Sequence, residues 1–323
     1  MFKKAEPFLI YTETPTHVGA GAELGYVDLP IQRERHSGLP KIESSGLKGS
    51  LRDVFEGDPE LKDNVKYVFG PEEGDLHAGA IGFLDARILL FPVKSAKGIF
   101  GWVTCPYALS RFKEEMNLCG DNFWEILEGI DVIEENSAVK GSNLILKNGA
   151  VILEEYSFKS VKENENLAKF SEWLANVIFP EPRDGTDFYG VLREKMKKDI
   201  LVISDDDFRD FTEMYTEVVT RTRIGTKGTV EGSALFNEEY VPENTVFYSM
   251  ALASRLFISD EEKKKIKDYD KFKTDEDFIL DYFKNGVKRH EIIQIGGNAT
   301  IGKGLVRIVT VKGEMANERN GNH

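Results

Sequence analysis

The hydrophobic pattern changes period along the chain. Residues 7–14, Pro-Phe-Leu-Ile-Tyr-Thr-Glu-Thr, form a short apolar and β-branched run that predicts a strand. Leu47, Leu51, Val54 and Phe55 then recur at i, i+4, i+7 and i+8, one face of a helix over 46–56 with Ser44 or Ser45 as its N-cap. Residues 82–93 and 99–104 predict two strands around the turn 94–98. Leu109, Phe112 and Met116 predict a helix over 107–118. Asn148-Gly149 between Leu144-Ile-Leu and Val151-Ile-Leu predicts a type I′ hairpin. Phe170, Trp173, Leu174, Val177 and Ile178 repeat at helical spacing, as do Phe208, Phe211 and Val218, so 120–218 is expected to be a mostly helical insertion. β character returns over 219–236 around Gly225-Thr-Lys-Gly228, and again over 245–257 and 305–311. The mixed lysine and acid blocks of 261–277 predict a solvated helix, and the polar tail 313–323 is expected to fray.

Strand–helix–strand units at both ends, with an insertion between them, predict an α+β fold. A ferredoxin-like or RRM-like core built from 1–119 and 219–312, with helices on one face of its sheet, fits that order. At 323 residues, 41% hydrophobic and 30% charged, the composition is globular. No apolar run approaches the roughly 20 residues of a membrane span, and the N-terminus lacks a signal-type stretch. Cys105 and Cys119 alone offer neither a disulfide framework nor a cysteine metal cluster, so a cytoplasmic location is expected.

The net charge of −13 argues against indiscriminate nucleic-acid binding, yet the charge is uneven. Arg33, Arg35, Lys41, Lys48 and Arg52 crowd residues 30–52 against Glu34 and Glu43. Lys284, Lys288, Arg289, Lys303 and Arg307 face Glu291 alone over 284–307. A basic groove on an acidic body suits an RNA binder.

Candidate chemistry sits in those same segments. Gly297-Asn-Ala-Thr-Ile-Gly302-Lys303 matches the first seven positions of a P-loop, but Gly304 replaces the hydroxyl residue that would hold Mg²⁺. Leu305-Val-Arg-Ile-Val309 then alternates as a strand, so the phosphate-holding helix is missing. What remains, including Gly296, Gly297, Asn298 and Lys303, is a loop with backbone N–H groups and room for a sugar-phosphate chain. Ser44-Ser45-Gly-Leu-Lys48-Gly-Ser-Leu-Arg52 places Lys48 and Arg52 on one face of a helix whose N-terminus also favours phosphate, though such pairs are commonly structural. Asp28 follows Gly25-Tyr-Val and precedes Leu29-Pro30, which predicts an exposed loop. It serves there either as a turn cap or as a carboxylate that holds a divalent cation beside a phosphodiester. His17 and His36 flank it as candidate proton donors. Glu238 and Glu239 could add a carboxylate or could be surface charge. Asp205-Asp-Asp207 suits the first turn of a helix better than a metal cluster.

With these residues in view, the chain resembles the RAMP superfamily, and within it the backbone subunits of type III-B CRISPR Cmr effector complexes. Thr14-Pro-Thr-His17, Asp28-Leu-Pro-Ile-Gln-Arg-Glu-Arg-His36, Ser44 to Arg52, Asp85 to Val93, Val103-Thr-Cys-Pro106, Arg221 to Glu239 and the Gly296–Gly304 loop carry the resemblance. It implies an RRM-type palm, a helical insertion and a β-hairpin thumb, here about 219–236. It further implies copies stacked head to tail along a guide RNA beside other subunits of the complex. Complementary single-stranded target RNA would be cut with Mg²⁺ or Mn²⁺. The resemblance places the catalytic, metal-holding aspartate at Asp28, the guide-binding lysine at Lys48 and the family's histidine at His17, with its acid at Glu238 or Glu239. Arg33, Arg35, Arg221, Arg223 and Lys227 are the further RNA contacts expected. Two rivals stand beside this reading: a non-catalytic RNA-binding scaffold, and a metal-independent guide-processing endonuclease in which histidine does the acid–base work.

Overall fold

The computed structural model describes residues 2–22, 25–72, 77–119, 128–130, 133–180, 182, 184–224 and 230–311. In chain order its elements are β1 (Lys4–Thr12), β2 (Lys41–Ile42), α1 (Ser44–Gly57), α2 (Lys62–Val68), β3 (Ile81–Phe83), β4 (Ala86–Lys94), β5 (Phe100–Thr104) and α3 (Pro106–Met116). There follow β6 (Ser137–Val139), β7 (Val151–Leu153), β8 (Tyr156–Phe158), β9 (Lys162–Asn164), α4 (Glu165–Ile178), α5 (Gly190–Met196), β10 (Ile200–Val202) and α6 (Asp205–Met214). The last third holds β11 (Glu217–Ile224), β12 (Val230–Tyr240), β13 (Val246–Ala253), α7 (Asp260–Lys263), α8 (Asp275–Arg289), β14 (Ile292–Gln294) and β15 (Leu305–Thr310).

One mixed sheet organises the molecule, in the order β14-β15-β1-β13-β4-β5-β10-β6-β9, with β2 added to β4 and β3 to β13. Most pairs are antiparallel; β10 runs parallel to β5, and β6 to β9. The core lies on both faces. Phe8 and Ile10 of β1 join a cluster with Leu47, Leu51 and Phe55 of α1 and Phe283 of α8. Leu9 and Tyr11 face the other way, toward Leu109 and Phe112 of α3 and Phe170 and Leu174 of α4. The uninterrupted apolar run of β1 is what a strand buried on both sides requires, which corrects the expectation of helices on one face. Among the described residues no helix is long and apolar enough to cross a membrane.

Four local expectations also change. Among the described residues of 120–218, helices α4, α5 and α6 alternate with β6, β9 and β10, which extend the central sheet. Asn148-Gly149 makes a turn inside a loop, with Gly149 N–H donating to Leu146 O at 2.9 Å. Leu144 leaves the strand pattern to pack against Gly98 and Gly101, and the hairpin forms one step later as β7–β8. Val218 does not continue α6; it lies in β11, half exposed. The helix expected over 261–277 is cut short: α7 is a single turn, Asp268 adopts the left-handed conformation, and the long helix α8 starts at Asp275. Phe278, Ile279, Tyr282, Phe283 and Val287 supply its apolar stripe, a stronger helical signal than the charge blocks before it. The tail from 312 lies outside the described residues.

Candidate active site

The helix start around Ser44 is held differently from the sequence reading. Neither serine caps α1 by side chain; Glu43 is the N-cap residue, and Asp85 accepts the Ser44 N–H at 2.9 Å. Lys41 donates to the same carboxylate at 3.0 Å. Lys48 is half buried and donates to Ile81 O at 3.0 Å; burial, helped by Arg52, lowers its pKa below the ordinary lysine value. Arg52 pairs with Glu56 at 2.6 Å and donates to Gly70 O at 3.0 Å. Ser45 is exposed.

The loop 28–40 is fixed by its one buried acid. Glu34 accepts both of its closest Arg111 contacts at 2.8 and 2.9 Å, with Arg87 at 3.2 Å and Ser37 at 2.6 Å. Burial pushes its pKa up, but these donors outweigh burial and hold it below the usual glutamate value. Arg35 and His36 are left exposed, with His36 Nε2 3.9 Å from Glu34.

Asp28 is exposed, as expected, but not loose. Its Oδ2 accepts the Asn237 N–H at 2.7 Å, and Leu29 N–H donates to Asn237 O at 3.0 Å, so the loop is clipped along the edge of β12. The other Asp28 oxygen meets no protein donor among the described residues.

One residue further along β12, strand alternation sends the two acids to opposite faces. Glu238 is buried and accepts Arg221 Nε at 2.6 Å, Tyr240 Oη–H at 2.5 Å and Asn298 Nδ2 at 2.6 Å. His17 Nε2 lies 3.6 Å from it. Burial works against its charge, yet those hydrogen bonds and His17 hold its pKa below the usual value. Glu239 faces the other side, accepting Ile31 N–H at 3.0 Å, Arg33 at 2.5 Å and Thr216 at 2.8 Å. It binds the base of the β11–β12 hairpin to the 28–40 loop. Glu238 thus shares a cluster with His17, while Glu239 anchors the hairpin to the loop.

The glycine loop closes this cluster. His17 Nδ1 lies 2.7 Å from Glu239 O, an acceptor, so Nδ1 carries hydrogen and Nε2 faces Glu238. Gly297 N–H donates to His17 O at 2.9 Å. Gly296 has φ +80°, and a Cβ there would stand 2.1 Å from His17 O, so only glycine lets the loop approach. Asn298, also left-handed, reaches Glu238 and Tyr240, while Lys303 Nζ sits 5.2 Å from the centre of the Tyr240 ring. The N–H groups of Ala299 and Thr300 have no protein acceptor among the described residues, and both residues are exposed.

His17, Arg221, Glu238, Gly296, Gly297, Asn298 and Lys303 therefore meet, with Asp28 clipped beside them. Arg33 joins Glu239 instead, and Lys48 and Arg52 form a separate group on α1. The Arg223 side chain and Lys227 lie outside the described residues. Sequence reasoning missed Tyr240 and Asn237. Tyr240 could have been found as the residue two past Glu238 on the same strand face. Among the described residues no group of three or more His, Cys, Asp or Glu side chains could hold a metal ion. Asp28 offers one carboxylate oxygen to solvent, the hard oxygen donor that a hydrated divalent cation takes.

The profile of the RAMP superfamily matches residues 9–307, from the middle of β1 to the middle of β15, and takes in all of these groups. The chain belongs to the RAMP superfamily. Within it, the chain is similar to the CRISPR system Cmr endoribonuclease Cmr4 of Pyrococcus furiosus, 38% identical over 303 residues that cover 93% of each protein. It is also similar to the CRISPR system CMR subunit Cmr4 of Saccharolobus solfataricus, 29% identical over 322 residues, 94% of this chain and 95% of that one. Its fold matches the crystal structure of oligomeric Cmr4 from Pyrococcus furiosus with a TM-score of 0.68 and 31% identity, covering 96% of this chain and 99% of that one.

Proposed function

We propose that this chain is a cytoplasmic, RNA-guided endoribonuclease subunit of a CRISPR effector complex. It binds a guide RNA, stacks head to tail with copies of itself beside other subunits, and cleaves complementary single-stranded target RNA. The observation that carries the reading is the Asp28 carboxylate, pinned by one oxygen to the Asn237 N–H and open at the other, next to the buried Glu238 cluster. A solvent-facing acid held this firmly is prepared to act rather than to solubilise.

The β11–β12 hairpin, which stands apart from the central sheet, serves as the thumb on an RRM-like palm of 1–119 and 219–312. Residues 120–218 are the insertion. The exposed N–H groups of the 299–300 turn, Lys303 and Arg221 take phosphates, and the guide runs past α1, where Lys48 must exchange Ile81 O for RNA. In the reaction the target's 2′-oxygen attacks its own 3′ phosphorus and the P–O5′ bond breaks, leaving a 2′,3′-cyclic phosphate and a 5′-hydroxyl. Asp28 orients the attacking hydroxyl, whose proton passes to water while water returns one to the departing 5′-oxygen; His17 and Tyr240, turned inward on Glu238, brace the wall that carries Arg221. A bound Mg²⁺ or Mn²⁺ would supply charge neutralisation at the phosphate.

The test is cleavage of guide-matched RNA by the reconstituted complex. Asp28→Asn is expected to lower the cleavage rate at least about 100-fold while assembly is unchanged; full activity would remove Asp28 from the mechanism. Cleavage undiminished in EDTA would favour the histidine-only nuclease. An intact wild-type complex that binds target in Mg²⁺ without cutting would leave only the scaffold.

A further inference from the structure

Tyr26 stands two residues before Asp28 and is 101% exposed, more than any other large apolar side chain of the described residues. Its backbone is not free. Asn237 Nδ2 donates to Tyr26 O at 3.5 Å, and the same Asn237 clips Asp28 and Leu29. A ring held out from pinned backbone, touching nothing among the described residues, presents both faces to a ligand. Alternation along β12 puts Leu235, 63% exposed, on the same face of the hairpin as Asn237. An apolar side chain therefore stands on the hairpin face that meets the Tyr26 loop.

We propose that Tyr26 is a stacking platform for an unpaired base of the target strand, next to the bond that Asp28 acts on. This rests on the nuclease reading above. An open aromatic ring suits the face of a base, and every base has a π-face to offer. Two residues of extended chain span at most about 7 Å, so a base on the ring leaves its own sugar-phosphate within reach of Asp28. The ring touches no reacting atom. It is a positioning residue that stops the nucleotide from rotating, so that the 2′-oxygen stays in line with the P–O5′ bond.

The experiment uses the full complex with guide and a target carrying 2-aminopurine at the nucleotide whose 3′ phosphate is cut. In an Asp28→Asn background, which keeps the target intact, fluorescence is expected to be quenched on binding and to recover when Tyr26→Ala is added. With Asp28 present, Tyr26→Ala is expected to slow cleavage roughly 5- to 100-fold with target affinity nearly unchanged. Tyr26→Phe and Tyr26→Trp should stay within about two-fold of wild type. Wild-type cleavage by Tyr26→Ala would overturn the inference, as would equal losses in Tyr26→Ala and Tyr26→Phe, which would make the hydroxyl the active part. A Tyr26→Ala complex that fails to assemble would make the ring a contact between subunits and also overturn it. If the wild-type complex binds but does not cut, the nuclease reading falls while the quenching measurement still decides the stack.

Discussion

At the scale of single residues, Glu238 and Glu239 show how neighbours in sequence take unrelated duties. Glu239→Ala strips Arg33, Thr216 and the Ile31 N–H of a buried acceptor, and the expected cost is about 3 kcal/mol in urea unfolding. Glu238→Gln keeps most of its hydrogen-bonding shape but not its charge. It is expected to fold and to slow target cleavage by about ten-fold or more, measured in the assembled complex. The sequence exposes Asp28 and His17 because a lone loop acid and a histidine beside a glycine loop are unusual where they stand. It cannot sort the two glutamates, because that depends on which face of β12 meets the loop. Tyr240 and Asn237 stay hidden for the same reason: they gain meaning only through the pairing of β11 with β12 and the clip on Asp28.

Among the elements, α1 illustrates a long-range substitute for a local device. Ser44 and Ser45 carry the expected capping chemistry, but Asp85, just ahead of β4, takes the Ser44 N–H instead. Asp85→Ala is therefore expected to cost about 1 kcal/mol and to speed amide exchange in the first turn of α1, while Ser45→Ala changes little. Elements with a local signal were legible: β1, α1, the β4–β5 pair, α3, α4 and the strand after the glycine loop all follow the apolar spacing. Those needing a distant partner were not. β6, β9 and β10 are three residues each, too short for a period, and are strands only because the central sheet has an edge to extend. α8 had the signal, but the charged stretch before it masked where the helix begins.

For the whole molecule, buried acids make stability depend on pH. Glu34 and Glu238 both have folded pKa values below the ordinary 4.5, so each binds its proton more readily once unfolded. Their stabilisation is complete above that ordinary value and drains away as pH falls through it toward the lower folded values. The share of unfolding free energy that Glu34 and Glu238 supply is expected to decline below about pH 4.5, with a shallower decline in Glu34→Gln. Sheet topology has a second effect, on the order of assembly. β15 zips onto β1, Phe8 opposite Thr310, and the loop just ahead of β15 brings Gly297 to His17, Asn298 to Glu238 and Lys303 to the Tyr240 ring. A nascent chain can make the hairpin, the Asp28 clip and the Glu238–Tyr240 bond while its last strand is still unsynthesised. It cannot close the glycine loop over them. The pocket therefore closes only once β15 has paired with β1, and a chain broken off before Gly296 keeps the Asp28 clip while its Glu238 cluster stands like a room with its door never hung.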